Sequence, residues 1–487
     1  MKTYIVFGDA VKCFDKLWLE DALVELYKAG CSPSDVVMMH EMNKDTEITI
    51  VTPVGKTERI KIGEIVKQGT VLGPTLCCVE TDQINNIGED QTRPLGNEVV
   101  GILIFVDDVM SAGTAEVARK CIRNLREMEK LKKFTFGLKK TNYMVIETGR
   151  EPKELIEEEV KEGKVTECFE YEYLGFWVNQ QGNCMLQIEK KSKKIKAEIA
   201  AIKSLASFHN VGPTYLNVRL MLYECCVLPS LLYDLEGWNK LSKNELKKLE
   251  SIQLKSLCSL IGLPKSTPYI GLLNEVGVWT IEERMKYRKL MLYHNLLNSD
   301  DKRLAKNIVL GQRQEEDKDS FFGTVKEMAS SLNINVDHID SMKKSALKKE
   351  IKTQIERRMV DKVNSQLHLK KLRFVRKQTN FNRSKYVVEM DASSATQVMK
   401  TRLNMLPIYG NYKHDLSIPR PCPLCKLEDD TTEHMILCPE VENDNITPED
   451  LTSQENIELW NQINEVINHN VEKRKVEGGK ISKSWNI

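Results

Sequence analysis

The stretch that most limits what this chain can become is Ile102-Leu103-Ile104-Phe105-Val106-Asp107-Asp108-Val109, where a dense apolar run ends in two adjacent carboxylates. Residues 99–106 are too few and too β-branched for a good helix, so they predict a buried strand with Asp107 and Asp108 at its end. Two acids at the tip of a core strand are costly unless something pairs them. A divalent cation would meet that cost, because hard oxygen ligands suit magnesium and carboxylates held by rigid backbone can share one or two ions. A solvated turn, in which aspartate only tolerates the backbone, is the other reading of the same residues.

A third acid stands in a similar place. Tyr4-Ile5-Val6-Phe7 reads as a short strand, and Asp9 falls just past its end. Asp15 is positioned to cap the amphipathic helix suggested by Leu17, Leu19, Ala22, Leu23, Leu26 and Tyr27. From 47 to 62 apolar residues alternate around Pro53 and Gly55, the pattern of a hairpin. Gln68-Gly69 and then Gly73-Pro74 follow, a turn that lets backbone approach a bound partner, with Gln68 offering donors and acceptors beside it.

In their order and spacing these pieces resemble the palm motifs of reverse transcriptases. Asp9 with Phe14 five residues on, Gln68-Gly69 with Gly73-Pro74, and Phe105-Val106-Asp107-Asp108 are the first three. Gly137-Leu138-Lys139-Lys140-Thr141 looks like the next, and Tyr173-Leu174-Gly175 resembles the primer-side hairpin after it. The whole chain is similar to the C-terminal part of a non-LTR, LINE-type retrotransposon polyprotein. It departs from the family in carrying Phe105-Val106 where Tyr-Ala or Phe-Ala is commoner, a change that keeps a strand. It also opens at the first palm motif, so the resemblance implies a palm without the fingers region and the endonuclease that lie upstream in the family.

The resemblance implies a chemistry residue by residue. Asp9 and Asp107 would hold two magnesium ions, with Asp108 beside them, for in-line transfer of a nucleotide to a primer 3′-hydroxyl. Phe14 would lie under the incoming sugar as a steric gate; outside this context a core aromatic is its plain reading. Gln68 and Gly69 would contact the template or the nascent pair, and Lys140 could protonate the departing pyrophosphate. The implied partners are an RNA template, a DNA primer and deoxynucleoside triphosphates.

Beyond Gly175 the pattern turns helical. The region 183–310 resembles a LINE-type thumb, with a break expected at Pro229, a helix stopped by Gly262 and Pro264, and Thr280-x-x-Glu283 reading as a capping box. Net charge is only +1, yet Lys190, Lys191, Lys193, Lys194 and Lys196 form one basic run and residues 343–377 another. Such runs either grip phosphate backbones or form the wet face of a helix. More helices are expected in 320–372, joined by a mobile linker near 311–319.

Pro421-Cys422-Pro423-Leu424-Cys425, His434 and Cys438 give the pattern Cys-x-x-Cys, eight residues, His, three residues, Cys. Three thiols and an imidazole at this spacing predict one structural zinc, and LINE-type proteins carry a similar knuckle after the polymerase. The intervening loop, polar and acidic, is expected to have little core of its own. The chain's thirteen cysteines are otherwise irregular and do not suggest a disulfide framework. No run of about 18 apolar residues is evident, so no membrane span is expected, and the N-terminus lacks the layout of a secretory signal, so the expected location is intracellular.

The fold class expected is therefore a mixed α/β polymerase palm, an all-α thumb and helical region, and a small C-terminal zinc knuckle. The boundaries expected are 1–182 for the palm, 183–310 for the thumb, 311–405 for a basic helical segment, 406–442 for the knuckle and 443–487 for a polar tail with one helix. Two other functions fit the same residues: a catalytically inactive remnant that only binds nucleic acid, and a metal-dependent phosphodiesterase.

Overall fold

Alternating side chains on Thr3–Asp9 place Tyr4 and Val6 on one face of a strand and Phe7 and Asp9 on the other, and that division organises the N-terminal part of the chain. The computed structural model describes residues 2–11, 13–45, 47–61, 66, 70–86, 100–132, 136, 141–146, 159–160, 163–208, 215–238, 240–301, 303–315, 318–375, 377–408, 421–443, 446–453 and 456–477. These form two compact units, 1–187 and 188–487. The four segments expected after residue 182 thus fall, apart from the first few residues, in one unit.

In the first unit five strands make one sheet: β1 (Thr3–Asp9), β2 (Val100–Phe105), β3 (Asp108–Gly113), β4 (Asn142–Ile146) and β5 (Thr166–Glu167). Their order is β5-β4-β1-β3-β2, antiparallel except for β5 on β4. One face is covered by the helices Leu19–Lys28, Gly73–Thr81 and Ala115–Lys132, whose Leu19, Leu23, Leu76, Ala118 and Ile122 pack with Tyr4, Val6, Val109 and Tyr143. Gly8 permits the last of these to approach: a Cβ there would stand 3.0 Å from Leu125 Cδ1. The expected buried strand is real, but it is an edge strand packed on one side only. Ile102 and Ile104 turn to the core, while Leu103 is 37% and Phe105 59% exposed.

Other local expectations meet mixed outcomes. Residues 47–61 do form a hairpin, with Ile48 opposite Ile60 and Thr52 opposite Gly55. The residue at the start of the next helix is Trp18 and not Asp15. Asp15 lies within the short helix Cys13–Lys16, and Trp18 precedes Leu19–Lys28 without a side-chain cap.

The second unit is helical. Pro229 does not break the apolar segment, because a π-turn over Tyr223–Val227 shifts the backbone pairing just before it and the proline enters at the start of the helix Leu228–Leu232. Leu216–Gly237 is long and apolar enough to cross a membrane by length and composition, contrary to the sequence reading. Its Leu216, Leu220, Tyr223, Val227 and Leu231 are buried within this unit. Gly262, at φ 85°, ends the helix Lys243–Ile261 as expected. Thr280 accepts the Glu283 N–H, but the reciprocal half of the box is missing: the Glu283 carboxylate turns to Lys286, Arg358 and Lys362. Gly311 lies inside the helix Leu304–Glu315 and Ser320 caps Phe321–Ser331, so most of the expected linker is helix ends.

Burial splits both basic runs. Lys191 is buried and donates to the carbonyls of Ser230, Leu231 and Tyr233, closing the end of Leu228–Leu232, whereas Lys193, Lys194 and Lys196 are exposed. In Lys344–Asn364 the five residues at every fourth position from Leu347 to Val363 are buried and Lys348, Lys349 and Lys352 stay in solvent. The centre of the unit is ionic. Glu275 and Arg402, both wholly buried, meet at 3.0–3.1 Å, and Ser384 and Tyr386 hydroxyls donate to the same carboxylate at 2.8 Å.

Candidate active site and metal centre

Strand register brings the first acid to the pair. Asp9, the last residue of β1, lies directly opposite Asp108, the first of β3, and Asp108 in turn faces Phe105 across the hairpin. Side chains of directly opposed residues share a face, so Asp9, Asp108 and Phe105 lie on the side of the sheet away from the packed helices. Val106 and Asp107 form the two-residue turn, with Val106 at φ 60°, a left-handed conformation rare for a β-branched residue. The Ala10 N–H donates to the Asp107 carbonyl at 3.4 Å, which ties the turn to the end of β1. All three aspartates are partly exposed.

A second hairpin covers the same face. β6 (Glu170–Tyr173) and β7 (Phe176–Asn179) pair through a tight turn at Leu174 and Gly175, both with positive φ. Tyr171 stacks on Phe7 with centroids 4.1 Å apart and planes at 9°, and Tyr173 tilts against the same ring at 6.0 Å. Burial, together with the charges of Asp9 and Asp108, pushes the Tyr171 phenol well above its usual range. Burial and Asp108 push Tyr173 up to about 12. Tyr173 belonged to a recognised motif; Tyr171 and Phe7 did not, although alternation on a strand would have paired Tyr171 with Tyr173 on one face.

Phe14 packs partly buried against the helix-side core. Near it, the Cys13 and Cys77 sulfurs lie 3.4 Å apart, joining the segment after Asp9 to the helix that begins at Gly73. Gln68, Gly69 and Lys140 lie outside the described residues.

In the second unit Cys422, Cys425, His434 and Cys438 offer four ligand atoms all within 4.8 Å of one another. The Cys422 and Cys438 sulfurs are 3.8 Å apart, close to the edge of a tetrahedron with metal–sulfur bonds of about 2.3 Å, roughly 3.8 Å. Thr431 caps the helix Thr432–Leu437, which fixes His434 one turn from Cys438. The His434 Nδ1 meets Glu428 Oε2 at 3.0 Å and its Nε2 lies 3.2 Å from Cys425 Sγ. Glu428 thereby fixes the tautomer that leaves Nε2 able to bind a metal. Burial raises the Cys425 thiol, but the Leu427 and Glu428 backbone N–H groups and His434 outweigh it, and it falls to about 7. Burial takes Cys438 up to about 12. The loop is less empty than its composition suggested, since Asp430 and Thr432 are buried and Thr432 bonds Asn404. The donor set suits zinc.

Residues 1–178 match the family model described as reverse transcriptase (RNA-dependent DNA polymerase). Over those residues the chain is similar to reverse transcriptases. The chain is also 23% identical over 317 residues to the RNA-directed DNA polymerase from mobile element jockey of Drosophila funebris. That match covers 63% of this chain and 34% of the relative, so the chain spans about a third of the relative's length. Among solved structures, telomerase from Candida tropicalis in complex with a fragment of telomeric RNA overlaps with a TM-score of 0.30 at 11% identity, over 64% of this chain and 49% of that one. Telomerase from Candida albicans overlaps at 0.27 and 10% identity, over 60% and 48%. Both overlaps are too loose to bear on the fold.

Proposed function

We propose that this chain is the RNA-directed DNA polymerase part of a LINE-type retrotransposon, transferring deoxynucleotides to a primer 3′-hydroxyl on an RNA template inside the cell. The observation that carries the reading is the register that sets Asp9 opposite Asp108 with Asp107 in the adjoining turn. Hard carboxylate oxygens at the rim of a sheet face are the donor set that a pair of magnesium ions requires. Such ions, when bound, activate the attacking hydroxyl and stabilise the leaving pyrophosphate.

The chain's own residues would do the rest. Asp9 and Asp107 hold the ions, and Asp108, one residue on, shapes the local charge. Phe14, supported from behind by the core, presents its ring to the incoming sugar. The Tyr171 and Tyr173 rings fix the turn at Leu174 and Gly175 over the acid-bearing face, where a primer end would lie. Gln68 and Gly69 contact the template or nascent pair, and Lys140 gives its proton to the pyrophosphate. Exposed Lys193, Lys194 and Lys196 offer charge to a duplex backbone, as a thumb does. Cys422, Cys425, His434 and Cys438 would hold one structural zinc.

Extension of a labelled DNA primer on an RNA template tests the reading. Magnesium-dependent addition of the templated nucleotide, lost in Asp9→Asn, is the expected result. Template binding without extension under every metal tried would identify a binding remnant, and cleavage of the labelled strand a phosphodiesterase.

A further inference from the structure

The Cys/His cluster has a neighbour from far along the chain. Arg474, in the last helix Ile457–Glu477, is 4% exposed and donates from Nη2 to Cys422 Sγ at 3.7 Å. The same nitrogen pairs with Asp430 at 2.8 Å, and Asp430, 1% exposed, belongs to the loop between the ligands. Arg474 Nε donates to Asn470, whose amide donates in turn to the carbonyl of Met435, the residue after His434. One turn of the terminal helix therefore grips a ligand sulfur, the ligand loop and the ligand helix at once.

We propose that Arg474 fixes the position of the Cys422 sulfur in the metal site, and that through it metal loading sets the docking of the C-terminal helix. The proposal rests on reading these four residues as a zinc site. Three thiolates around a divalent ion leave one net negative charge. Here that charge would sit where Cys422 and Cys438 are 0% and 1% exposed. A buried charge needs a hydrogen-bonding partner, and the guanidinium supplies an N–H to sulfur. Asp430 holds the guanidinium in place. Outer partners of this kind typically carry about 10- to 100-fold in metal affinity. The coupling reaches further because the same helix buries Trp460 and joins Ala392–Arg402 through Asn464, which donates to the Ser394 carbonyl and whose own carbonyl accepts from Gln397. The site is thus a staple between the ligand loop and the terminal helix.

The test uses the 487-residue protein, zinc affinity by competition with a chromophoric chelator, and hydrogen exchange across 457–477 with and without zinc. Arg474→Met alone removes the guanidinium that pairs with the buried Asp430, so the informative variant is Arg474→Met with Asp430→Asn, which keeps the charge balanced. Expected are one zinc per wild-type chain, slower exchange in the terminal helix on loading, and in the double variant about 10- to 100-fold weaker zinc binding with no zinc response in the helix. Wild-type affinity and response in the double variant overturn the proposal alone. Weaker binding with an intact helix response overturns the coupling. A wild-type chain that takes up no zinc overturns the proposal and the zinc reading together.

Discussion

The two proposed ligand sets of this protein are built in opposite ways. At the end of the sheet, backbone does the placing: strand register, a two-residue turn and one N–H to carbonyl bond bring Asp9, Asp107 and Asp108 to one edge. In the helical unit, side chains do it, and four ligand atoms lie within 4.8 Å of one another, the only such group of three or more among the described residues. Charge explains the difference. Carboxylates repel one another until cations join them, whereas thiols and imidazole can be neutral and close together. Loss of an acid should therefore remove chemistry and spare the fold, while loss of a sulfur ligand should do the reverse.

The largest effect is expected from Cys425→Ser combined with His434→Ala. Metal analysis after refolding in excess zinc should fall from one zinc per chain to none, and exchange across 421–438 should approach that of an open segment, because binding energy at such sites is folding energy. Undiminished stoichiometry would break the comparison.

Next comes the ionic centre of the second unit. Glu275→Gln leaves Arg402 buried without its counter-charge, and such losses cost about 3–5 kcal/mol. Denaturant melts should show the second unit failing early. An unchanged midpoint would mean that the pair holds little of the fold.

A smaller effect sharpens the account of the first unit. Tyr171→Leu removes the stack on Phe7, worth about 0.5–1.5 kcal/mol beyond the area it buries. It should raise the primer-template KM more than it lowers kcat. Tyr171→Phe keeps the ring and should retain most of the wild-type behaviour; equal loss in both would make the hydroxyl the anchor.

Where a feature is local, the sequence was readable. The strand before Asp107, the hairpin of 47–61, the stop at Gly262 and the Cys/His spacing each depend on a few neighbouring residues. Features decided by distant partners were hidden. Glu275 and Arg402 are 127 positions apart, and nothing in either neighbourhood announces a buried ion pair. The reciprocal half of the Thr280 box failed because Lys286, Arg358 and Lys362 compete for Glu283. Pro229 was misread because a π-turn is set by packing rather than by composition. A complete capping box does form at Ser242 with Glu245, where the same spacing stands in the sequence.

Within the acid site the register was beyond the sequence, but the residue types were not. Whether those aspartates bind the ions decides the proposed function. Titration of manganese, followed by its paramagnetic resonance and competed with magnesium, measures this on the folded chain with primer-template present. The wild type should bind manganese at a site magnesium displaces, and Asp107→Asn should weaken it at least about tenfold, a loss of roughly 1.4 kcal/mol, with an unchanged thermal midpoint. Wild-type manganese affinity in both Asp107→Asn and Asp9→Asn would contradict that role for the aspartates.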